Sequence, residues 1–180
     1  TKAEIHRLRL TVGGDKLPYP GDSSSSCASL VTTKIMINST ISTSGARYAT
    51  TDISDFYYGT PMSCYEYMRI CFDKISQDII DAYKLNNLAH DGHVYMEIWK
   101  GMPGLKQAGR IAQDRLVNHL AKYGYAPVAR TLSLWKHRTR NIAFTLAVDN
   151  FCIKYVDRNH LDHLLNAICD QYSVTVNMTG

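Results

Sequence analysis

Asp52 and the residues that follow it have the chemistry of a metal-dependent site. Asp52 is the single carboxylate of an extended run at 47–53, and three aromatic residues follow it within one turn of chain: Phe56, Tyr57 and Tyr58. An acid beside aromatic rings suggests a metal ion next to a flat substrate. The ordinary alternative is a strand end whose Asp caps the next turn, and an isolated Asp is more often explained in that way.

A second acid lies in a predicted β-hairpin. The runs 142–148 and 151–156 are apolar and rich in β-branched and aromatic residues, and Asp149 and Asn150 separate them. Asp and Asn tolerate the positive φ of tight turns, so the pattern predicts a hairpin with Asp149 at its tip. Two acids at strand ends of one sheet can converge on a divalent cation, which takes oxygen ligands. Asp52 and Asp149 are therefore a candidate two-metal pair.

The order of three motifs resembles the reverse transcriptase family. Residues 52–57, residues 101–109 (Gly-Met-Pro-Gly-Leu-Lys-Gln-Ala-Gly) and the pair at 148–149 follow one another as polymerase motifs A, B and C do. The Gly-Leu-Lys-Gln-Ala run at 104–108 is similar to the signature of the copia-type LTR retrotransposon branch, and residues 9–14 look like its fingers strand. The likeness covers almost the whole chain. It implies an RNA-directed DNA polymerase domain from a retrotransposon polyprotein.

This resemblance implies a catalytic and metal-binding set. Asp52 and Asp149 correspond to the principal ligands of two Mg²⁺ (or Mn²⁺) ions, helped by the backbone carbonyl of Ile53, and Asn150 lies at the third catalytic position. Two cations would activate a primer 3′-hydroxyl and neutralise the leaving pyrophosphate. The implied partners are an RNA or DNA template with its primer and deoxynucleoside triphosphates.

The resemblance also implies a set of substrate-binding residues. Tyr57 matches the bulky aromatic residue that excludes a ribose 2′-hydroxyl, and Gly104 would let the base pair and sugar approach the backbone closely. Arg9 matches the arginine that clamps the phosphates of the incoming nucleotide. An edge strand kept soluble by basic residues explains Arg9 equally well. The full implied set is Arg7, Arg9, Asp55, Phe56, Tyr57, Gly104 and Gln107.

Asn150 departs from the pattern of the resembled family. Close relatives have Val-Asp-Asp at this tip, whereas this chain has Val-Asp-Asn. An amide keeps one oxygen but loses the charge and a possible metal bond. A cost of about 3 kcal/mol would lower the rate more than a hundredfold. We therefore expect Asn150 to weaken or abolish catalysis, as in a decaying retroelement copy.

The periodicities predict an α+β fold. A strand at 47–53, a helix at 106–123, the hairpin, a helix from about 159 and a strand at 172–176 give the βαββαβ order of a ferredoxin-like antiparallel sheet backed by helices. The resembled family uses this arrangement as its palm. Residues 47–62 and 104–180 would form the palm, and residues 1–46 and 63–103 would form the fingers. The thumb and RNase H regions of that family have no counterpart here.

Further elements are predicted in the remaining sequence. They are a half-buried strand at 5–12, a helix at about 26–40, a short helix capped by Ser76 and a strand at 93–99 with alternating apolar residues. Composition adds mild constraints. The net charge of +4 permits contact with a polyanion. Five cysteines without a C-x-x-C pair favour a reducing intracellular compartment, which is the cytoplasmic retroelement particle if the resemblance holds. No membrane contact is expected.

Two other functions remain open at this point. One is a non-catalytic relic that retains only nucleic-acid binding. The other is an RRM-like RNA-binding module, because βαββαβ also describes that fold and Phe144, Phe151 and Tyr155 lie on the hairpin strands. Tyr65, Tyr67 and Trp99 could also stack on bases, although most of them are expected in the core.

Overall fold

The computed structural model describes residues 10–131 and 133–178. Within these ranges the chain forms an α+β fold, as predicted. Its helices are α1 (Leu30–Ile41), α2 (Gln77–Tyr83), α3 (Ala108–Lys122) and α4 (Arg158–Cys169). Its strands are β1 (Arg47–Ile53), β2 (Pro61–Cys71), β3 (His93–Lys100), β4 (Tyr125–Pro127), β5 (Leu134–His137), β6 (Ile142–Ala147), β7 (Asn150–Tyr155) and β8 (Val174–Asn177).

The larger sheet has the predicted ferredoxin-like centre. Its strand order is β4-β5-β6-β7-β1-β8, and every neighbouring pair is antiparallel. The four strands β6-β7-β1-β8, with α3 and α4 as the connecting helices, give the βαββαβ unit. Strands β4 and β5 extend the sheet beyond β6 and were not predicted. Both are short, and a strand of three or four residues carries little periodicity.

Alternating side chains build the core on one face of this sheet. Phe144 and Leu146 of β6 and Phe151 and Ile153 of β7 are buried against α3 and α4. Burial of one such side chain stabilises the fold by about 1.5–3 kcal/mol. The apolar residues that α3 and α4 contribute lie three or four positions apart, which keeps them on one helical face: Ala112, Leu116, Leu120, Leu161, Leu164 and Ile168.

Helix α1 packs on the opposite face of the sheet. Lys154 of β7 alternates with the buried Ile153 and Tyr155 and so points away from the core. Its ammonium group donates to the carbonyl oxygen of Ser39 at 2.9 Å, near the end of α1. The helix begins at Leu30, later than the predicted start at 26, because the Ser29 side chain accepts a hydrogen bond from the backbone N–H of Thr32 and caps it.

Strands β2 and β3 form a separate two-stranded sheet. The alternation predicted for β3 is confirmed, since Val94 and Ile98 are buried, whereas Tyr95 and Trp99 are exposed. The inner face packs against the segment that leads into α3 and against α2. The predicted short helix after Ser76 is α2, but the Ser76 side chain makes no capping hydrogen bond.

The ends of the chain differ from the prediction in part. Residues 5–9 of the predicted first strand lie outside the described residues, and residues 10–12 are not part of a strand. The N–H of Val12 instead donates to the carbonyl oxygen of Pro103 at 2.9 Å. The last strand, predicted at 172–176, is Val174–Asn177, because Tyr172 turns into the core. Within the described ranges, no helix is long and apolar enough to cross a membrane.

Two half-buried histidines should make the stability of this fold depend on pH. Burial and the nearby Arg140 charge lower the pKa of His163, whose Nδ1 lies 3.0 Å from the Tyr125 hydroxyl, and burial lowers the pKa of His137. The unfolded chain then binds more protons below pH about 6.5. We expect the free energy of unfolding to fall as pH decreases through that region, measured by urea denaturation.

The His163→Gln variant should flatten this pH dependence, because an amide does not titrate. An identical slope in wild type and His163→Gln would contradict the prediction.

Candidate metal and nucleotide site

The end of β1 and the start of β7 bring the two predicted acids to one edge of the sheet. Asp52 lies opposite Asn150 in the β1–β7 register and opposite Thr175 in the β1–β8 register. The N–H of Ile53 donates to the carbonyl oxygen of Asp149 at 3.0 Å. Since β1 is paired on both sides, the backbone of Asp52 is held between two neighbours.

The hairpin turn is one residue earlier than predicted. Ala147 pairs with Asn150, so the two turn residues are Val148 and Asp149, and Asn150 is the first residue of β7. This register pairs Leu146 with Phe151 on the buried face and places Val148 in the two-residue turn. Val148 consequently takes a φ of 61°. Such a value is an outlier for a β-branched residue and costs on the order of 1–3 kcal/mol.

Asp52 and Asp149 line the same open cleft. The cleft has a volume of about 620 Å³, and most of its lining surface is polar. Burial raises the pKa of Asp52, and the negative charge of Asp149 raises it further. The two carboxylates are thus close enough to repel each other. The other residues that line the cleft are Ile53, Ser54, Asp55, Phe56, Tyr57, Tyr58, Pro103 and Thr175.

Asn150 is close to this pair but outside the cleft lining. Its side chain is exposed, and its amide Nδ2 donates to Oδ1 of Asp149 at 2.7 Å. The amide therefore occupies one acceptor site of the Asp149 carboxylate. An aspartate at this position has no such donor when ionised.

The aromatic residues after Asp52 differ in exposure. Phe56 belongs to the buried core, whereas Tyr57 is half-buried and faces the cleft. Burial and the Asp149 charge raise the pKa of Tyr57, so its hydroxyl stays protonated at neutral pH. Asp55 is exposed, with a φ of 52° that Asp tolerates. The Tyr58 hydroxyl donates to the carbonyl oxygen of Leu10 at 3.3 Å.

The loop before α3 borders a second cleft. That cleft has a volume of about 320 Å³ and shares Tyr57 and Pro103 with the first; Gly104 and Lys106 also line it. Gly104 has a φ of +99°, and a Cβ atom there would collide with the carbonyl oxygen of Val12. The close approach of two backbone segments therefore requires glycine at 104.

Gln107, a predicted substrate-binding residue, lies outside both clefts. Gln107 is buried, and its amide donates to Oε1 of Glu66 in β2 at 2.7 Å. It therefore joins the helix α3 start to β2 and does not line either cleft. Arg7 and Arg9 lie outside the described residues.

Sequence reasoning missed several residues that line the clefts, among them Pro103, Lys106 and Thr175. Pro103 and Lys106 belong to the resembled motif B segment and could have been selected from it. Lys106 also donates to the carbonyl oxygen of Leu17 at 2.9 Å. Thr175 lines the first cleft only because β8 pairs with β1. No local signal marks a residue brought in by pairing across the sheet.

The donor set can be compared with what a divalent cation needs. Within residues 10–131 and 133–178, no group of three or more His, Cys, Asp and Glu side chains is arranged to hold a metal ion. The site offers two carboxylates whose mutual repulsion a cation would relieve. Mg²⁺ commonly uses one or two carboxylates and completes its shell with water and substrate phosphates. The residues present therefore fit a cation that is bound together with its substrate.

Comparisons with known proteins give structural similarity alone. No family model matches the chain, and no curated protein matches it significantly. A telomerase structure from Candida albicans, in complex with a fragment of telomeric RNA, has 11% sequence identity and a TM-score of 0.45; the match covers 86% of this chain and 31% of the telomerase. An apo telomerase structure from Candida tropicalis, truncated from its C-terminal domain, has 12% identity and a TM-score of 0.41, with coverages of 83% and 34%.

Both matches describe a partial likeness of backbone fold. The chain spans about one third of the length of the telomerase chains that it matches.

The electrostatic coupling of the two acids can be measured directly. In the Asp149→Asn variant we expect the pKa of Asp52 to fall toward its ordinary value, because the neighbouring negative charge is gone. Carboxyl carbon chemical shifts followed by NMR titration report this pKa. Asp55→Asn is the matched control, since Asp55 lines the same cleft without contributing to the shift. An unchanged Asp52 pKa in Asp149→Asn would show that the two carboxylates do not interact, which would contradict the prediction.

The close packing at Gly104 should also appear in stability. Gly104→Ala should destabilise the fold by about 2–5 kcal/mol, because it adds a backbone collision to the cost of the left-handed conformation. Gly92 is the control, since it has a φ of +70° but a Cβ added there would meet no atom within 4 Å. Gly92→Ala should cost only about 1–2 kcal/mol. Equal losses in urea denaturation would refute the close approach of Val12.

Proposed function

We propose that the chain is an RNA-directed DNA polymerase domain, a nucleotidyltransferase of the reverse transcriptase type from a copia-type retrotransposon polyprotein. One observation carries this proposal. Three sequence segments that resemble polymerase motifs A, B and C contribute Asp52, Pro103 and Asp149 to the lining of one cleft. Residues more than forty positions apart meet there through the sheet register and the loop before α3.

Two acids at this edge suit phosphate chemistry. Asp52 and Asp149 would hold Mg²⁺ or Mn²⁺, with the Ile53 carbonyl as a further oxygen ligand. When bound, such cations lower the pKa of a primer hydroxyl and neutralise the charge that develops on the leaving pyrophosphate. A second ion would take most of its ligands from the triphosphate and water, in addition to Asp52 and Asp149.

The remaining cleft residues would position the substrate. Tyr57 lines both clefts, and its hydroxyl is neutral. Its ring would exclude a ribose 2′-hydroxyl by steric clash and so select deoxynucleotides. Gly104 lines the second cleft and lets Val12 pack directly on its backbone, so it would hold this loop in place beside the substrate. Asp55 and Phe56 shape the cleft floor beside Tyr57. Arg7 and Arg9 are proposed to contact the triphosphate, and Gln107 would act through the loop that it fixes to β2.

The wider assignments belong to the same proposal. The larger sheet with α3 and α4 would be the palm (47–62 and 104–180), and residues 1–46 and 63–103 would be the fingers. The partners would be a primed RNA or DNA template and deoxynucleoside triphosphates. The protein would act in a cytoplasmic retroelement particle.

One observation favours a second function. The Asn150 amide donates to Asp149 and withdraws one carboxylate oxygen from any metal. That contact supports a non-catalytic relic that retains nucleic-acid binding. The RRM-like module has less support. Phe144, Phe151 and Tyr155, which would have to stack on RNA, are all buried in the core.

Magnesium-dependent primer extension on an RNA template separates the catalytic domain from the relic. The Asn150→Asp variant should extend a primer at least about a hundredfold faster than wild type, equivalent to about 2.7 kcal/mol. Its Mn²⁺ affinity, measured by electron paramagnetic resonance, should rise at least about tenfold. Both gains should disappear in the double variant that also carries Asp52→Asn.

The outcomes distinguish the proposals clearly. Tighter Mn²⁺ binding without extension would support the relic. If Asp52→Asn changes neither Mn²⁺ binding nor extension, the cleft is not the metal site. Asn141→Asp, an exposed position remote from the cleft, is the matched control for added charge.

A further inference from the structure

The outer face of the β2–β3 sheet carries exposed aromatic residues. Tyr65, Tyr67, Tyr95 and Trp99 are 54%, 67%, 58% and 63% exposed. The sequence-based expectation that most of Tyr65, Tyr67 and Trp99 lie in the core is therefore wrong. The inner face, which includes Met62 and Ile98, already packs against Met102 and Leu105, so alternation along each strand turns these rings outward. A cluster of exposed large rings marks a binding surface. We call these four residues the aromatic face.

Contacts within this surface hold the rings in place. The Tyr65 and Trp99 rings stack across the two strands, with centroids 6.1 Å apart and planes at 25°. The Tyr67 hydroxyl donates to Oε1 of Glu97 at 2.9 Å, and the Trp99 indole N–H donates to Oε2 of the same carboxylate. The rings are thus oriented without burial, which lowers the entropy lost when a flat ligand binds.

We propose that the aromatic face binds single-stranded nucleic acid. Every base has a flat π-surface that stacks on Tyr or Trp, and single strands expose these surfaces whereas duplexes do not. Same-face residues of a strand lie about 7 Å apart, a spacing that an extended polynucleotide can follow. Sheets that present two or three aromatic side chains bind RNA in the same manner.

One cation lies on the same face as the rings. Arg69 lies opposite Tyr95 in the register, at one end of the row of rings, where it can pair with a phosphate. Glu97 lies between Tyr95 and Trp99 on this face and repels phosphates from the middle, so that bases rather than backbone would cover it. This surface is distinct from the cleft that contains Asp52 and Asp149.

The aromatic face also leads toward that cleft. Trp99 lies four residues before Pro103, and the N–H of Gly101 donates to the carbonyl oxygen of Thr60 at 2.7 Å, which fixes the end of β3 beside β2. A single-stranded nucleic acid bound to the rings would therefore have a continuous path to the loop that borders both clefts. Binding of a single strand at the aromatic face does not depend on the proposed polymerase activity, because it needs neither cation nor triphosphate.

Trp99 provides a direct readout of this binding. Trp135 is buried, and Trp135→Phe leaves Trp99 as the sole tryptophan. Titration with a deoxythymidine homopolymer or a uridine homopolymer should quench the fluorescence of this variant through stacking. In fluorescence anisotropy, Trp99→Ala and Tyr65→Ala should each weaken binding about five- to a hundredfold. Trp99→Phe should retain most of the affinity because its ring still stacks.

Tyr83→Ala is the matched control, since Tyr83 is 71% exposed on α2 and lies outside the aromatic face. It should bind as wild type, and unchanged melting temperatures should confirm that all variants fold. Wild-type affinity in Trp99→Ala and Tyr65→Ala would overturn the proposal. The proposal would also be overturned if a duplex competed for the protein as well as the single strand does. A third result would assign the face to a protein contact. In it, the wild type binds no oligonucleotide but self-associates in sedimentation, and Trp99→Ala and Tyr65→Ala abolish this self-association.

The same assay separates this proposal from the polymerase site. Asp52→Asn should bind single strands as wild type does, and Trp99→Ala should bind Mn²⁺ as wild type does. If Asp52→Asn loses oligonucleotide binding and Trp99→Ala keeps it, the cleft is the binding surface, and the proposal that the aromatic face binds single strands is refuted.

Discussion

The antiparallel pairing of β1 with β7 is the constraint on which the candidate site depends. It sets Asp52 opposite Asn150 and ties the backbone of Ile53 to that of Asp149. The register is itself fixed by apolar packing, because Ile53 and Phe151 are buried beside these polar residues in sequence. A slip of one residue would expose the core and separate the two carboxylates. The same packing therefore determines both stability and the geometry of the site.

The long and strongly periodic elements could be predicted from the sequence. α3, α4, β1 and β3 were predicted almost at their observed bounds, because their apolar residues recur at helical or strand spacing. The short strands β4 and β5 were not, since they exist through pairing with β6. The hairpin turn was displaced by one residue. Asp and Asn are good turn formers, but the observed register pairs Ala147 with Asn150, which places Val148 in the turn with a left-handed conformation.

Parts of the site could be predicted for a similar reason. The positions of Asp52 and Asp149 follow from strand ends in one sheet. The burial of Gln107 against Glu66 and the approach of Val12 to Gly104 depend on contacts between distant segments, which no local pattern encodes. Alternation predicts which residues of β3 share a face. It does not predict which face of a two-stranded sheet is covered, so the exposure of Tyr95 and Trp99 follows only from the packing of the opposite face.

The amide at Asn150 has consequences for the fold as well as for chemistry. Asp52 and Asp149 already repel each other, as the raised pKa of Asp52 indicates. A third carboxylate at 150 would add to this repulsion whenever no cation is bound, and the folded chain would then depend more strongly on a cation for its stability. The Asn150 amide instead donates to Asp149 and offsets part of the charge. Asn in place of Asp at position 150 therefore removes one carboxylate from this site while it stabilises the cation-free fold, so selection for folding alone would not oppose the change.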